Sequence, residues 1–164
     1  MYIRNLSNRL LSYNLWATER ITSWLMTIDQ SKLYIDIGSS FGSIDRTLQH
    51  ILSAQNYWYS IIIEGRFNEF DQAFKENSVA EVMSDLIKGA QKMADAISEL
   101  NEQQLIERIK VSDSTQSRYE YIFHLVNHNS YHRGQVVSIC RSLGIKDEIP
   151  VTDYDAYLWW IENN

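Results

Sequence analysis

Residues 117–143 read SRYEYIFHLVNHNSYHRGQVVSICRSL, and this stretch decides the fold of the chain. It opens with a capping box, Ser117-x-x-Glu120, and Gly144 follows its end, which are typical start and stop signals of a helix. Between these signals, apolar and aromatic side chains recur at steps of three and four residues and therefore share one face. We expect a long amphipathic helix that ends near Leu143.

Three further segments show the same periodicity and extend the pattern over most of the chain. They run from about Ile3 to Ile28, from about Ser43 to Glu64, and from a Ser78-x-x-Glu81 capping box to about Leu100. The chain has one proline, Pro150, and only six glycines, too few turn residues for an all-β domain. Amphipathic helices bury their apolar faces most simply against one another, so the sequence predicts an all-α four-helix bundle.

The connections and the C-terminal tail complete this expected architecture. Asp29–Gly42 joins the first two helices, and Asn101–Gln116, which could hold an extended piece at about Leu105–Val111, joins the last two. Connections of this length allow an up-down-down-up order of helices as well as a simple up-and-down order. The aromatic-rich tail, Asp153–Asn164, predicts a short helix that lies on the bundle.

Composition limits the classes of function. A length of 164 residues fits one domain, spanning residues 1–164. The net charge is −6, from 15 basic and 21 acidic residues, and no two basic residues are adjacent, so nucleic acid is not an expected partner. No apolar run reaches membrane-spanning length. A single cysteine, Cys140, excludes an internal disulfide and a zinc site built from several cysteines. We expect a soluble, cytoplasmic protein.

Three of the four histidines lie within the stretch quoted above. His124, His128 and His132 are spaced four residues apart, so they form one stripe on the helix. His128 and His132 fall within its apolar stripe, and His50 falls within the apolar stripe of the second helix, flanked by small residues. Polar rings in such positions need a binding partner.

A divalent metal ion would satisfy these rings. Two histidines at positions i and i+4 reach one cation, and a third from a neighbouring helix leaves a coordination position open, which is the catalytic arrangement. His50 and His128 can combine with either His132 or His124, because the spacing is the same. The sequence therefore predicts a three-histidine site in the bundle interior and leaves this choice open. It singles out no general base.

Four strings of sequence occur together over most of the chain: Tyr13-Asn14-x-Trp16-Ala17-x-x-Arg20; Phe41-Gly42-Ser43-Ile44-x-x-Thr47-Leu48-x-His50-Ile51-x-x-Ala54; His124-x-x-Asn127-His128-x-x-Tyr131-His132-Arg133-Gly134-Gln135; and Pro150-x-Thr152-Asp153-x-x-x-Tyr157. In this combination the chain resembles the DinB/YfiT-like metalloenzyme family of four-helix bundles. The resemblance implies that His50, His128 and His132 are the metal ligands and that His124 lies beside them without binding the ion.

The same resemblance implies a cofactor and a reaction. The cofactor is one divalent ion per chain, zinc, nickel or iron, and the family's known activities are transfers of low-molecular-weight thiols such as bacillithiol, mycothiol or glutathione to small electrophilic substrates. We therefore expect a metal-dependent thiol transferase that acts in detoxification or stress response. Two alternatives stay open: a metal-dependent hydrolase, and a non-enzymatic metal-binding protein that works in a stress response or as an interaction partner.

Several other residues have structural interpretations. We expect Cys140 to be buried packing rather than a nucleophile, and Arg133 to face away from the histidines in an ion pair or a loop cap. Tyr57 and Tyr131 are candidates to hold substrate near the metal, but core filling is the preferred interpretation. Trp58, Trp159 and Trp160 are interpreted as packing residues rather than as a cofactor site. The apolar residues on two faces of the fourth helix, together with the aromatic tail, exceed what one bundle core can bury. With the family resemblance, this excess predicts a homodimer.

Overall fold

The computed structural model describes residues 2–67, 69–71, 73, 74 and 76–164. Six α-helices and one β-hairpin account for most of this part of the chain, and a 3-10 turn follows the first helix at Gln30–Tyr34. The elements are α1 (Tyr2–Leu25), α2 (Ile44–Ile62), α3 (Val79–Ser98), α4 (Glu102–Ile106), β1 (Arg108–Val111), β2 (Ser114–Ser117), α5 (Arg118–Ser142) and α6 (Tyr154–Asn163). The four long helices and the tail helix confirm the predicted mainly helical architecture.

Local capping fixes where the long helices begin. The side chain of Ser43 accepts a hydrogen bond from the Arg46 backbone N–H. Complete capping boxes start α3, at Ser78 and Glu81, and α5, at Ser117 and Glu120, as the sequence predicts. The first helix ends earlier than expected, at Leu25 rather than Ile28. Its end is closed because the Gln30 amide donates hydrogen bonds to the Leu25 and Ile28 carbonyls.

Two apolar clusters reveal the helix directions, which the sequence left open. One cluster contains the first half of α1, the end of α2, the end of α3 and the first half of α5. The other contains the end of α1, the beginning of α2, the beginning of α3 and the end of α5. Helices α1 and α5 therefore run in one direction and α2 and α3 in the other. The order is up-down-down-up, with α1 and α2 each in contact with α3 and α5.

The connection between α3 and α5 is more structured than expected. Leu105 lies in the short helix α4 and is fully buried, so the predicted extended piece at Leu105–Val111 is wrong in its first part. The extended part is β1, which pairs with β2 in an antiparallel hairpin, Val111 opposite Ser114. Glu107 and the hairpin are tied to the bundle through Arg118, which binds the Glu107 carboxylate at 2.7 Å.

The tail helix α6 packs on α1 through aromatic rings. Tyr157 is buried against Trp16, with ring centroids 5.5 Å apart, and Trp160 contacts the same ring. Trp159 is 65% exposed, so its interpretation as a packing residue is wrong for the isolated chain. Within the described residues, no helix combines the length and the apolar character needed to cross a bilayer.

Candidate metal centre

Helices α2 and α5 bring three histidines to one point in the bundle. The two helices are antiparallel neighbours, so His50 in the first half of α2 faces the middle of α5. The Nε2 atom of His128 lies 3.2 Å from Nε2 of His50 and 3.1 Å from Nε2 of His132. In the described part of the chain, this is the one group whose ligand atoms could hold a metal ion, all of them within 4.8 Å of one another.

These separations fit one shared cation. Two nitrogens bound to the same tetrahedral ion at about 2.1 Å are about 3.4 Å apart, close to the values observed here. A network of direct N–H···N bonds is a poorer solution, because the Nε2 atom of His128 faces two other ring nitrogens at once and a neutral imidazole nitrogen serves as either donor or acceptor. The donor set is wholly imidazole, which suits zinc, nickel and iron alike.

The surroundings keep all three rings neutral, which is the form that binds a metal. Burial lowers the pKa of His50 and of His132. The pKa of His128 falls to about 4, first because of burial and then because His132 and the other nearby rings disfavour a second positive charge. A cluster of rings that resist protonation can accept a cation without first losing protons near neutral pH.

A hydrogen bond selects the tautomer of one ring. Nδ1 of His132 lies 2.7 Å from Oε1 of Gln135, which accepts a hydrogen bond from the Nδ1–H group. The proton therefore sits on Nδ1, and Nε2 directs its lone pair toward the other two histidines. This role of Gln135 was not predicted from the sequence, although its i, i+3 spacing from His132 was a visible signal.

The loop before α2 places an aromatic ring over His50. Phe41 stacks on that imidazole with ring centroids 4.1 Å apart. The next residue, Gly42, has φ of +84°, and a Cβ there would lie 2.8 Å from the Asp36 carboxylate, so only glycine fits this turn. Ser43 then caps α2. The position of Phe41 depends on this turn, which the periodicity of the flanking helices does not indicate.

A cavity lies beside His50. It has a volume of about 220 Å³, and its lining includes Phe41, His50, Ser53 and Phe74. Phe70 also contacts the edge of the His50 ring, with centroids 5.9 Å apart. Ser40 also lines the cavity, which thus offers both aromatic rings and serine hydroxyl groups to a molecule that approaches His50.

His124 occupies a different position from the other three histidines. Its ring packs against Trp58, with centroids 4.9 Å apart, and its side chain is exposed. In the described part of the chain, no hydrogen bond joins it to another histidine. Of the two sets that the sequence allowed, the structure brings together the one with His132. Trp58 also stacks on Tyr121, as expected of a packing residue.

Two tyrosines near the cluster differ in burial. Tyr57 is half-buried and contacts Phe70, in line with a packing role. Tyr131 is 64% exposed beside His132, so its interpretation as core filling is wrong. It lies at i−1 from His132, and consecutive helix positions point about 100° apart, which carries Tyr131 out of the interior.

Arg133 faces away from the histidines, as expected, but its predicted ion pair or loop cap is wrong. The guanidinium is buried against α1 and donates to Oδ1 of Asn14, to the Tyr13 hydroxyl and to Oγ of Ser130. Cys140 behaves as predicted, since it is fully buried in the second apolar cluster. Burial raises the pKa of its thiol to about 11.

Comparison with known proteins agrees with this fold. The family model described as "DinB family" matches residues 1–164. The chain is 26% identical to Protein DinB of Bacillus subtilis over 92% of each sequence. A crystal structure of a DinB-like protein from Bacillus cereus superposes with a TM-score of 0.70 at 20% identity, over 87% of this chain and 94% of that one. The crystal structure of the DinB-like protein YjoA from Bacillus subtilis superposes with a TM-score of 0.70 at 17% identity, over 88% of this chain and 96% of that one. By the family model that matches its whole length, the chain belongs to the DinB family.

Proposed function

We propose that this protein is a divalent-metal-dependent thiol transferase whose single ion per chain is held by His50, His128 and His132. The observation that carries the proposal is the convergence of the ring nitrogens of three histidines beside a cavity that His50 and Phe41 line. The protein acts as a cytoplasmic homodimer in detoxification or stress response. The ion is zinc, nickel or iron.

The three histidines hold the ion and leave part of its coordination shell for a substrate. When bound, such an ion supplies Lewis-acid chemistry and lowers the pKa of a thiol that approaches it. Gln135 keeps the Nε2 lone pair of His132 available. Phe41 covers one face of His50 and limits the access of water to that ring.

The reacting sulfur comes from outside the chain. Cys140 is the sole cysteine, it is fully buried, and its raised pKa keeps it protonated near neutral pH. It belongs to the packed core rather than to the cavity beside His50. A low-molecular-weight thiol must therefore be the first substrate, and the aromatic side chains Phe41 and Phe74 of the cavity suit a small electrophile as the second.

A paired assay tests the proposal. The metal-loaded protein is mixed with a haloaromatic electrophile and, in turn, with bacillithiol, mycothiol and glutathione. In the expected reaction the thiol sulfur bonds to the ring carbon, halide leaves, and the thiol proton passes to solvent. His50→Ala should abolish this reaction together with metal binding, and the matched variant His124→Ala should retain both.

Other outcomes would replace the proposal with one of its alternatives. Metal-dependent hydrolysis of esters without any thiol reaction would indicate a hydrolase that uses the same ion to activate water. Full metal occupancy without turnover of any thiol or ester would favour a non-enzymatic metal-binding protein. Thiol transfer that persists in metal-free His50→Ala protein would show that the histidine cluster is not the reaction centre.

A further inference from the structure

A second cavity lies between α1, α5 and the segment 149–153, and it shares no lining residue with the cavity at His50. Its volume is about 330 Å³, within the usual range of small-molecule sites. Tyr13 lines it from α1 and Arg133 from α5. The proposed thiol-transfer reaction makes no use of this cavity.

Arg133 brings an uncompensated positive charge to the cavity. The residue is only 5% exposed, and the three acceptors that it contacts, on Asn14, Tyr13 and Ser130, are all neutral. No carboxylate of the described residues forms an ion pair with its guanidinium. A buried cation is costly unless an anion pairs with it. Burial accordingly lowers the pKa of Arg133.

A second arginine lines the same cavity. Arg141 follows Arg133 by eight residues, which is about 12 Å along α5, and both residues line the cavity. Asp153 stands at the rim, exposed, and in the described structure it forms no ion pair with either arginine. The lining therefore carries two positive charges and one negative charge.

The rest of the lining is mixed, with Ser130 and Thr152 beside apolar side chains. Val137 lies between the arginines along α5, and Ile149 and Pro150 close the other side. We propose that this cavity binds a small organic anion whose oxyanion head, a carboxylate or a phosphate, pairs with Arg141 in the positive field of Arg133 while its apolar body lies along Val137 and Pro150. Arginine suits both head groups, because its planar fork matches either of them.

Calorimetric titration of the full-length protein tests this site with benzoate and phenyl phosphate as probes at constant ionic strength. At least one probe should bind with a Kd below about 10 mM, and neutral benzyl alcohol should not bind. Arg141→Gln should weaken binding about 10- to 100-fold, the usual loss for a charge-assisted hydrogen bond. Arg4→Gln removes the same charge from an exposed site on α1 outside the cavity and should leave binding unchanged. The preferred probe identifies the head group.

Gly134→Leu provides a test that does not remove a charge. Gly134 lines the cavity, and a Cβ built there meets no atom within 4 Å, so a leucine should fill part of the cavity without unfolding α5. We expect it to abolish probe binding with no loss of thermal stability. Absence of binding by either probe, equal losses in Arg141→Gln and Arg4→Gln, or unchanged binding in a folded Gly134→Leu would overturn the proposal. Loss of binding in His128→Ala alone would likewise overturn it and place the anion at the metal.

Discussion

Replacing Gly89 with alanine should destabilise the protein, although alanine is the better helix former. Gly89 lies in the middle of α3 where that helix packs against α2. A Cβ at this position would lie 2.2 Å from Nε2 of Gln55, far inside contact distance. That amide is 2% exposed and donates a 3.2 Å hydrogen bond to the Leu86 carbonyl. The new methyl group must therefore displace a buried, bonded side chain.

The change in stability is the difference between the gain in helix propensity and the cost of displacing Gln55. Alanine in place of a mid-helix glycine contributes about 1 kcal/mol of stability. Displacing the Gln55 amide leaves a buried donor unpaired, which costs about 1–3 kcal/mol, and crowding between α2 and α3 adds about 1 kcal/mol or more. We expect a net loss of about 2 kcal/mol. Gly134→Ala is the matched control: its Cβ meets open space, so it should gain about 1 kcal/mol.

Thermal unfolding of the two variants measures this difference. For a chain of this length, 1 kcal/mol corresponds to about 2–4 °C, so the two Tm values should differ by about 6–12 °C. A double-mutant cycle adds a second check, because Gly89→Ala should become stabilising in a Gln55→Ala background, where the obstructing amide is gone. A Tm for Gly89→Ala at or above that of Gly134→Ala would refute the packing argument.

Three further predictions concern the site and the assembly. In metal-free protein, the free energy of unfolding should fall as the pH drops from about 6.5 to about 4. The reason is that His128 takes up a proton in the unfolded chain, whereas the folded ring, with its pKa of about 4, stays neutral over this range. Denaturant titrations at several pH values measure this dependence, and a free energy of unfolding that does not change with pH would contradict it. Gln135→Leu should weaken metal affinity, measured by competition with a chelator, about 10- to 100-fold with little change in Tm. Unchanged affinity would show that the hydrogen bond from His132 to Gln135 does not contribute to metal binding. Sedimentation equilibrium should give twice the 19.3 kDa chain mass, with Trp159→Ser weakening the dimer; a monomer mass at micromolar concentration would refute the assembly.

Local signals in the sequence were enough to predict the long helices. Capping boxes such as Ser78 with Glu81 act over four residues, and apolar periodicity reports on one helix at a time. The hairpin lacks such signals, since β2 is wholly polar and the turn between the strands places Ser112, not glycine, at φ of +53°. Helix directions depend on contacts between distant segments, which one sequence does not reveal.

At the site, too, local spacing was predictable from the sequence and long-range contacts were not. The spacing of His128 and His132 was visible, but His124 has the identical spacing, and the choice depends on which turn of α5 lies opposite His50. The burial of Arg133 was missed because its acceptors include Asn14, which lies 119 residues earlier in the chain. Here long-range packing, rather than local propensity, determines the environment of each side chain.

Metal content measured on purified protein and histidine variants tests the central claim most directly. After loading with zinc, nickel or iron and removal of free ion, elemental analysis should find about one ion per wild-type chain. His50→Ala and His128→Ala should lose that ion, because each removes one of three ligands, while His124→Ala should keep it. Full retention in both His50→Ala and His128→Ala, or a loss in His124→Ala equal to that in His132→Ala, would contradict the three-histidine site.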